Sequence, residues 1–478
     1  MSIVSSLNTT QIQGISTAAI AAFSTADIQA LSSTQATALQ STQVRVLSTT
    51  QVRALESTQI SGLTTEALNG FTTTQVRALT TSAVEALDTT QVAALTTGQV
   101  GALLSSQIQA FGTEDIVALT STQATALVSS QIVGLTSDQI AAFETTDLVA
   151  LGTAQVRALN TTQVAALTST QAEALTTTQI RALASSQIRA LDTTDIEALT
   201  STQAAALQST QLAGFGTDQI QALETTDLAA IGSAELRTLT TAQVAALTTT
   251  QVGSLETTDL AVLTTTQIRV LGSDQVNALT TTQIAGLATS QLANLTTGQI
   301  ALLDTTDIVA LDTTQIRSLT STQITALTTD TVAAIETTDL AALTTTQVRG
   351  LTTAQVVALT STQAASLETS QVRALTSTQV RALETSDIEA LTTTQVAALQ
   401  STQLAGFTTD QIQALETTDL AAIGSAELRT LTTTQIAALT TTQVASLETT
   451  DLAVLTTTQI RALGSDQINA LTTTQVAA

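Results

Sequence analysis

The chain contains no cysteine, histidine, proline, tryptophan or tyrosine, and all 14 of its cations are arginine. Each absence closes off a class of function. Without cysteine there is neither a disulfide framework nor a thiolate. Without histidine as well, the common nucleophile–base pairs have no members, and without lysine Schiff-base chemistry is closed. No Gly-rich phosphate loop occurs. The expectation is therefore no enzyme, with no catalytic, cofactor-binding or metal-ligating residues and no cofactor. Six phenylalanines are the only aromatic residues, so any core is thin and aliphatic. No stretch approaches the roughly 18 uninterrupted apolar residues of a membrane span. A net charge of −24 opposes nucleic acid and anionic membrane, both of which need clustered cations.

What is present is one octapeptide, written out at Leu391–Ala398 as Leu-Thr-Thr-Thr-Gln-Val-Ala-Ala. A lead-in of residues 1–6 is followed by 59 such units over 7–478, with no residue inserted or lost. Position 1 is Leu, Ile or Phe, position 3 is always Ser or Thr, and position 5 is mostly Gln, with Asp or Glu as variants. Position 6 is aliphatic and position 8 mostly Ala or Gly. A strict short period is the signature of a solenoid, in which each unit buries its apolar side chains against neighbours. The recurring aliphatics argue against a disordered Thr-rich tract, and a solenoid predicts a rod rather than a globule.

A continuous helix is excluded, because eight residues at about 100° each rotate the apolar stripe by about 80° per unit. Each octad must contain a turn. Positions 6 and 1 lie three apart, which is helical spacing. Of the 38 acids, 34 sit at positions 2, 4 and 5 and all 14 Arg at position 7, the order a helix dipole favours. Fifteen of the 19 Gly flank the turn at positions 8 and 2, as C-terminal glycines do. The prediction is an all-α solenoid of very short helices, one per octad. A β-solenoid is the alternative. The constant hydroxyl at position 3 reads as the N-cap. With the cap at position 2 instead, the Gln at position 5 completes a capping box.

Leu351–Leu359, Leu-Thr-Thr-Ala-Gln-Val-Val-Ala-Leu, resembles the opening helix of repeats in TAL-effector DNA-binding proteins. The base-reading loop of that family is missing, so the likeness implies the helix and not the DNA binding. Segments such as Ser121–Gln123 are similar to octapeptides of bacterial ice-nucleation proteins, although the Gly-Tyr of that family is absent. In overall composition the chain resembles Thr-rich repeat regions of secreted or surface proteins of bacteria.

A coarser grain lies over the octads. Residues 207–286 and 399–478 agree at 72 of 80 positions. Asp at position 5 and Arg at position 7 tend to alternate between octads, which suggests two octads per coil. Seven times an Asp precedes an Arg by ten residues: Asp147/Arg157, Asp227/Arg237, Asp259/Arg269, Asp307/Arg317, Asp339/Arg349, Asp419/Arg429 and Asp451/Arg461. These pairs read either as a charge ladder fixing register or as inherited, exposed residues without interaction; exposed pairs contribute only about 0–1 kcal/mol each. Glu114-Asp115 reads as a solvated helix start rather than a general acid. Segments such as Glu256–Asp259 offer at most weak surface Ca²⁺ binding.

The functional expectation is a non-enzymatic repeat scaffold, structural, filament-forming or adhesive, at a bacterial surface or in an extracellular matrix. Its partners would be further copies of itself or other surface proteins. The N-terminus lacks the pattern of a Sec signal, so export would use another route, or the chain is a piece of something longer. The alternatives are an ice-interacting or calcium-dependent β-solenoid adhesin and a protein-binding α-solenoid.

Overall fold

The structure, a computed structural model, describes residues 3–477. The described chain forms 59 α-helices of four to six residues, one in each octad, and no strand. The all-α solenoid is therefore the fold, and the β-solenoid alternative falls. The chain divides into two units, 1–247 and 248–478. Within each, the same octad is built again and again.

Leu391–Ala398 shows why. Thr392 is extended and caps the helix Thr393–Ala397. Leu399 then leaves the helix, its N–H bonded to Val396 O at 3.1 Å. The aliphatics at positions 1 and 6 turn inward: Leu391 is 4% exposed and Val396 1%. Gln395 between them is buried too, at 3%. The remaining positions face outward or sit half-buried. Each octad thus contributes only two substantial apolar side chains, each stabilising by about 1.5–3 kcal/mol when buried. Phe71, Phe111, Phe143, Phe215 and Phe407 take the position-1 place without disturbing it.

The coil is wider than two octads. Within each unit a helix packs on the third helix along: Ser121–Ala126 against Thr145–Ala150 in the first unit, Ser361–Ser366 against Thr385–Ala390 in the second. Buried hydrogen bonds from coil to coil span 28 and 31 residues, so one circuit takes between three and four octads. The expectation of sixteen residues per coil is corrected on these contacts. A two-octad coil would have to reverse the chain at each link. The link here is two extended residues, Leu391 at φ −61° and ψ 136° and Thr392 at φ −73° and ψ 151°, which deflect the chain by a fraction of a circle.

The glycines do not act as left-handed C-caps, since no described residue has positive φ. At position 8 they allow close approach instead. A Cβ on Gly134 would lie 2.8 Å from Cβ of Ser105 in the coil below. The lead-in belongs to the first coil where it is described: Ile3–Ser6 forms a 3-10 turn, Val4 is buried, and its carbonyl accepts from Gln35.

Candidate functional site

The polar groups that could do chemistry are gathered at position 5, inside the stack. In Gln395, Oε1 accepts the Thr392 N–H at 2.7 Å. Its Nε2 donates to Ala364 O at 3.1 Å and Leu367 O at 2.6 Å, both in the coil below. One side chain thereby satisfies an orphan N–H at the start of its own helix and carbonyls at the end of an earlier helix. The pattern recurs in both units, as in Gln131, which bonds Val100 O and Leu103 O at 2.7 Å each. Sequence reasoning saw this Gln only as half of a capping box. The missed signal was its near-constancy, which a solvated Gln has no reason to keep.

The N-cap is position 2 and not position 3. Thr392 Oγ1 accepts the Gln395 N–H at 3.3 Å, completing the box. Position 3 looks instead toward the next coil, where Thr393 Oγ1 donates to Asp419 Oδ1 at 2.7 Å. Loss of the cap in Thr392→Val should cost about 1 kcal/mol. Thr393→Val should cost more, about 2 kcal/mol, because it strips a hydrogen bond from a buried carboxylate. Chemical denaturation of the two variants checks the order, and in an Asp419→Gln background the Thr393→Val cost should shrink.

The seven Asp/Arg pairs do not meet as exposed partners. Asp147, Asp227, Asp259, Asp339, Asp419 and Asp451 are buried, and Asp307 is half-buried. Arg157, Arg237, Arg269, Arg317, Arg349, Arg429 and Arg461 are all exposed. Adjacent octads lie around the ring, with position 5 facing in and position 7 out. The aspartates take hydroxyls three octads back: Ser121 to Asp147 at 2.6 Å, Ser201 to Asp227 at 2.8 Å, Thr281 to Asp307 at 3.0 Å. Thr313 and Ser425 do the same for Asp339 and Asp451, at 2.6 and 2.8 Å.

Burial sets the electrostatics of five position-5 carboxyls. It pushes the carboxyl of Asp195 up to about 6, with nearby Asp192 adding repulsion against the help of its N–H. Burial likewise raises Asp115, Asp227, Asp307 and Asp387. The Thr194 hydroxyl holds Asp192, at the helix start, below its ordinary value. Asp115 is therefore not the solvated partner expected of Glu114: it is 7% exposed and its carboxylate accepts the Gly112 N–H. Among the described residues no group of three or more His, Cys, Asp or Glu could hold a metal ion.

A model of the ALTTAQ repeat matches residues 4–41, 37–65, 68–105, 108–145, 140–177, 173–209, 220–257, 252–289, 300–334, 332–369, 364–401, 380–417, 412–449 and 444–478. The chain belongs to the ALTTAQ repeat family. A matched stretch such as 4–41 is longer than the 28-to-31-residue reach of a position-5 Gln, so it holds both ends of the coil-to-coil bond. No curated protein matches the chain. The crystal structure of the leucine-rich repeat-containing protein LegL7 from Legionella pneumophila is 10% identical. The alignment covers 50% of this chain and 80% of that one, with a TM-score of 0.15.

Proposed function

We propose that this ALTTAQ-repeat chain is a non-enzymatic scaffold, structural and filament-forming or adhesive, at a bacterial surface or in an extracellular matrix. The observation that supports it best is the use made of the buried polar groups. They are occupied in joining coil to coil, and the same octad recurs without a specialised interruption. The Thr-rich composition is similar to that of bacterial surface repeats, and the net charge of −24 disfavours nucleic acid as a partner. No described helix is long and apolar enough to cross a membrane. Self-association has a physical route, because a stack accepts further coils of the same kind. Ile460, Ile468 and Val476, 38%, 42% and 69% exposed, occupy the place that another coil covers elsewhere. A continuation of the chain or a second copy would fit there equally.

The test is light scattering and negative-stain microscopy over a concentration series, together with protease shaving of intact cells that express the protein. Concentration-dependent joined particles and cleavage on intact cells are expected. Particles of one mass at every concentration would remove the filament role, and full protection on intact cells would remove the surface role.

A further inference from the structure

We propose that three buried position-5 aspartates, Asp195, Asp227 and Asp387, form an acid-responsive device, in which the coils they join are held weakly while the carboxylates are ionised and tighten when the carboxylates take up protons. The inference is independent of where the protein resides. At this position Gln joins one coil to another. Its Nε2 donates to carbonyls 28 and 31 residues back. An ionised aspartate is one methylene shorter and has only acceptors, so it cannot serve those carbonyls, which at Asp195 belong to Val164 and Leu167. It brings a charge into the stack instead, and a buried charge is costly unless fully bonded.

Bonding is incomplete at Asp227 and Asp147 and long at Asp195 and Asp387. Asp227 is 2% exposed; one of its oxygens accepts from Ser201, while Oδ2 is buried without a hydrogen-bond partner. Its N-cap, Glu224, makes no side-chain cap bond, and the capping box is absent. Oδ2 of Asp147 is in the same condition. Asp195 and Asp387, each 1% exposed, keep the cap N–H bond but accept it at 3.2 and 3.1 Å, longer than the 2.7 Å of Gln395.

No cation relieves these sites from the helices stacked on them. Asp195 shares its octad with Asp192 and Glu197, and the helices against it carry Glu173 and Asp218. Asp387 sits with Glu384 and Glu389; Ser361–Ser366 is uncharged and Thr409–Ala414 carries Asp410. Asp227 sits with Glu224, over the uncharged Ser201–Ala204. Burial raises all three carboxyls, Asp195 to about 6 from 3.8. The folded chain then holds protons that the unfolded chain has released. Stability from this source is complete below the lower value and is lost as pH rises through the higher one.

The test is thermal melting of the full chain from about pH 5 to about pH 7.5, a range that brackets the folded Asp195 value. Wild type is compared with a triple variant, Asp195→Gln, Asp227→Gln and Asp387→Gln. A second triple variant removes the same charge from exposed acids: Glu66→Gln, Asp138→Asn and Asp330→Asn. The wild-type Tm should fall as pH rises. The buried triple should melt about 5 °C higher at neutral pH, with the gap closing at the acid end. The exposed triple should run parallel to wild type. A flat wild-type profile, or equal flattening by both triples, overturns the proposal. Asp195→Asn alone removes the charge without adding length; if its slope equals that of wild type, the proposal fails even where the triple does not fold.

Discussion

Gln395→Leu should be among the most damaging single changes in the chain, although it keeps the size of the side chain and makes it more apolar. The substitution leaves the Thr392 N–H and the Leu367 carbonyl without their partners at 2.7 and 2.6 Å, and weakens the hold on Ala364. Gln395 is 3% exposed, so water does not replace what is lost. Each buried group left unsatisfied costs about 1–3 kcal/mol, which places the change at about 2–5 kcal/mol. Its consequence is also local. The stripped carbonyls lie in the preceding coil, so native-state hydrogen exchange should accelerate in 361–368 as well as in 393–397. Exchange confined to 393–397 would mean that Gln395 acts only as a cap within its own octad. Gln395→Glu sharpens the distinction: it can still accept the cap N–H, but its ionised oxygen opposes Leu367 O. If the coil-to-coil bond dominates, Gln395→Glu is at least as damaging as Gln395→Leu at neutral pH.

The helices were legible in the sequence because their signals are local. Acids first, Arg last and aliphatics three apart all follow from bonds within eight residues. The coil was not legible. Its size is set by how far the two extended residues of each link deflect the chain and by which carbonyls Gln395 reaches, and those carbonyls lie 28 and 31 residues away. In a sequence of identical octads every such offset looks alike. The alternation of Asp and Arg octads suggests sixteen residues by its parity alone, and parity need not record contact: Asp147 faces inward and Arg157 outward. Choosing position 3 as the cap failed for a related reason. Its constancy is real, but part of its cause lies three octads on, where Thr393 meets Asp419 and Ser105 lies under Gly134. Constancy in a repeat records contacts with the next coil as well as with the unit itself.

That dependence on neighbouring coils also sets the size of the second large effect. Ile132→Ala removes a side chain that is 0% exposed, while the backbone carbonyl that accepts from Gln163 at 2.7 Å is kept. The loss is therefore one of packing alone. Buried Ile→Ala changes cost about 2–5 kcal/mol according to how well the site can collapse. Ala occurs naturally at position 6, as at Ala124 and Ala172, and is fully buried there. Coils can thus close over a small residue, and the cost at Ile132 belongs in the lower half of that range. At Ile468, in the same position of its octad, the side chain is 42% exposed. Where no further coil lies over it, Ile468→Ala should cost about 1 kcal/mol or less. In a stack whose stability is a sum of units and interfaces, the same substitution is costly in proportion to the coils that cover it. Denaturant unfolding of both variants decides the matter, and equal costs at Ile132 and Ile468 would show that side chains within one octad, and not the covering coil, hold each unit in place.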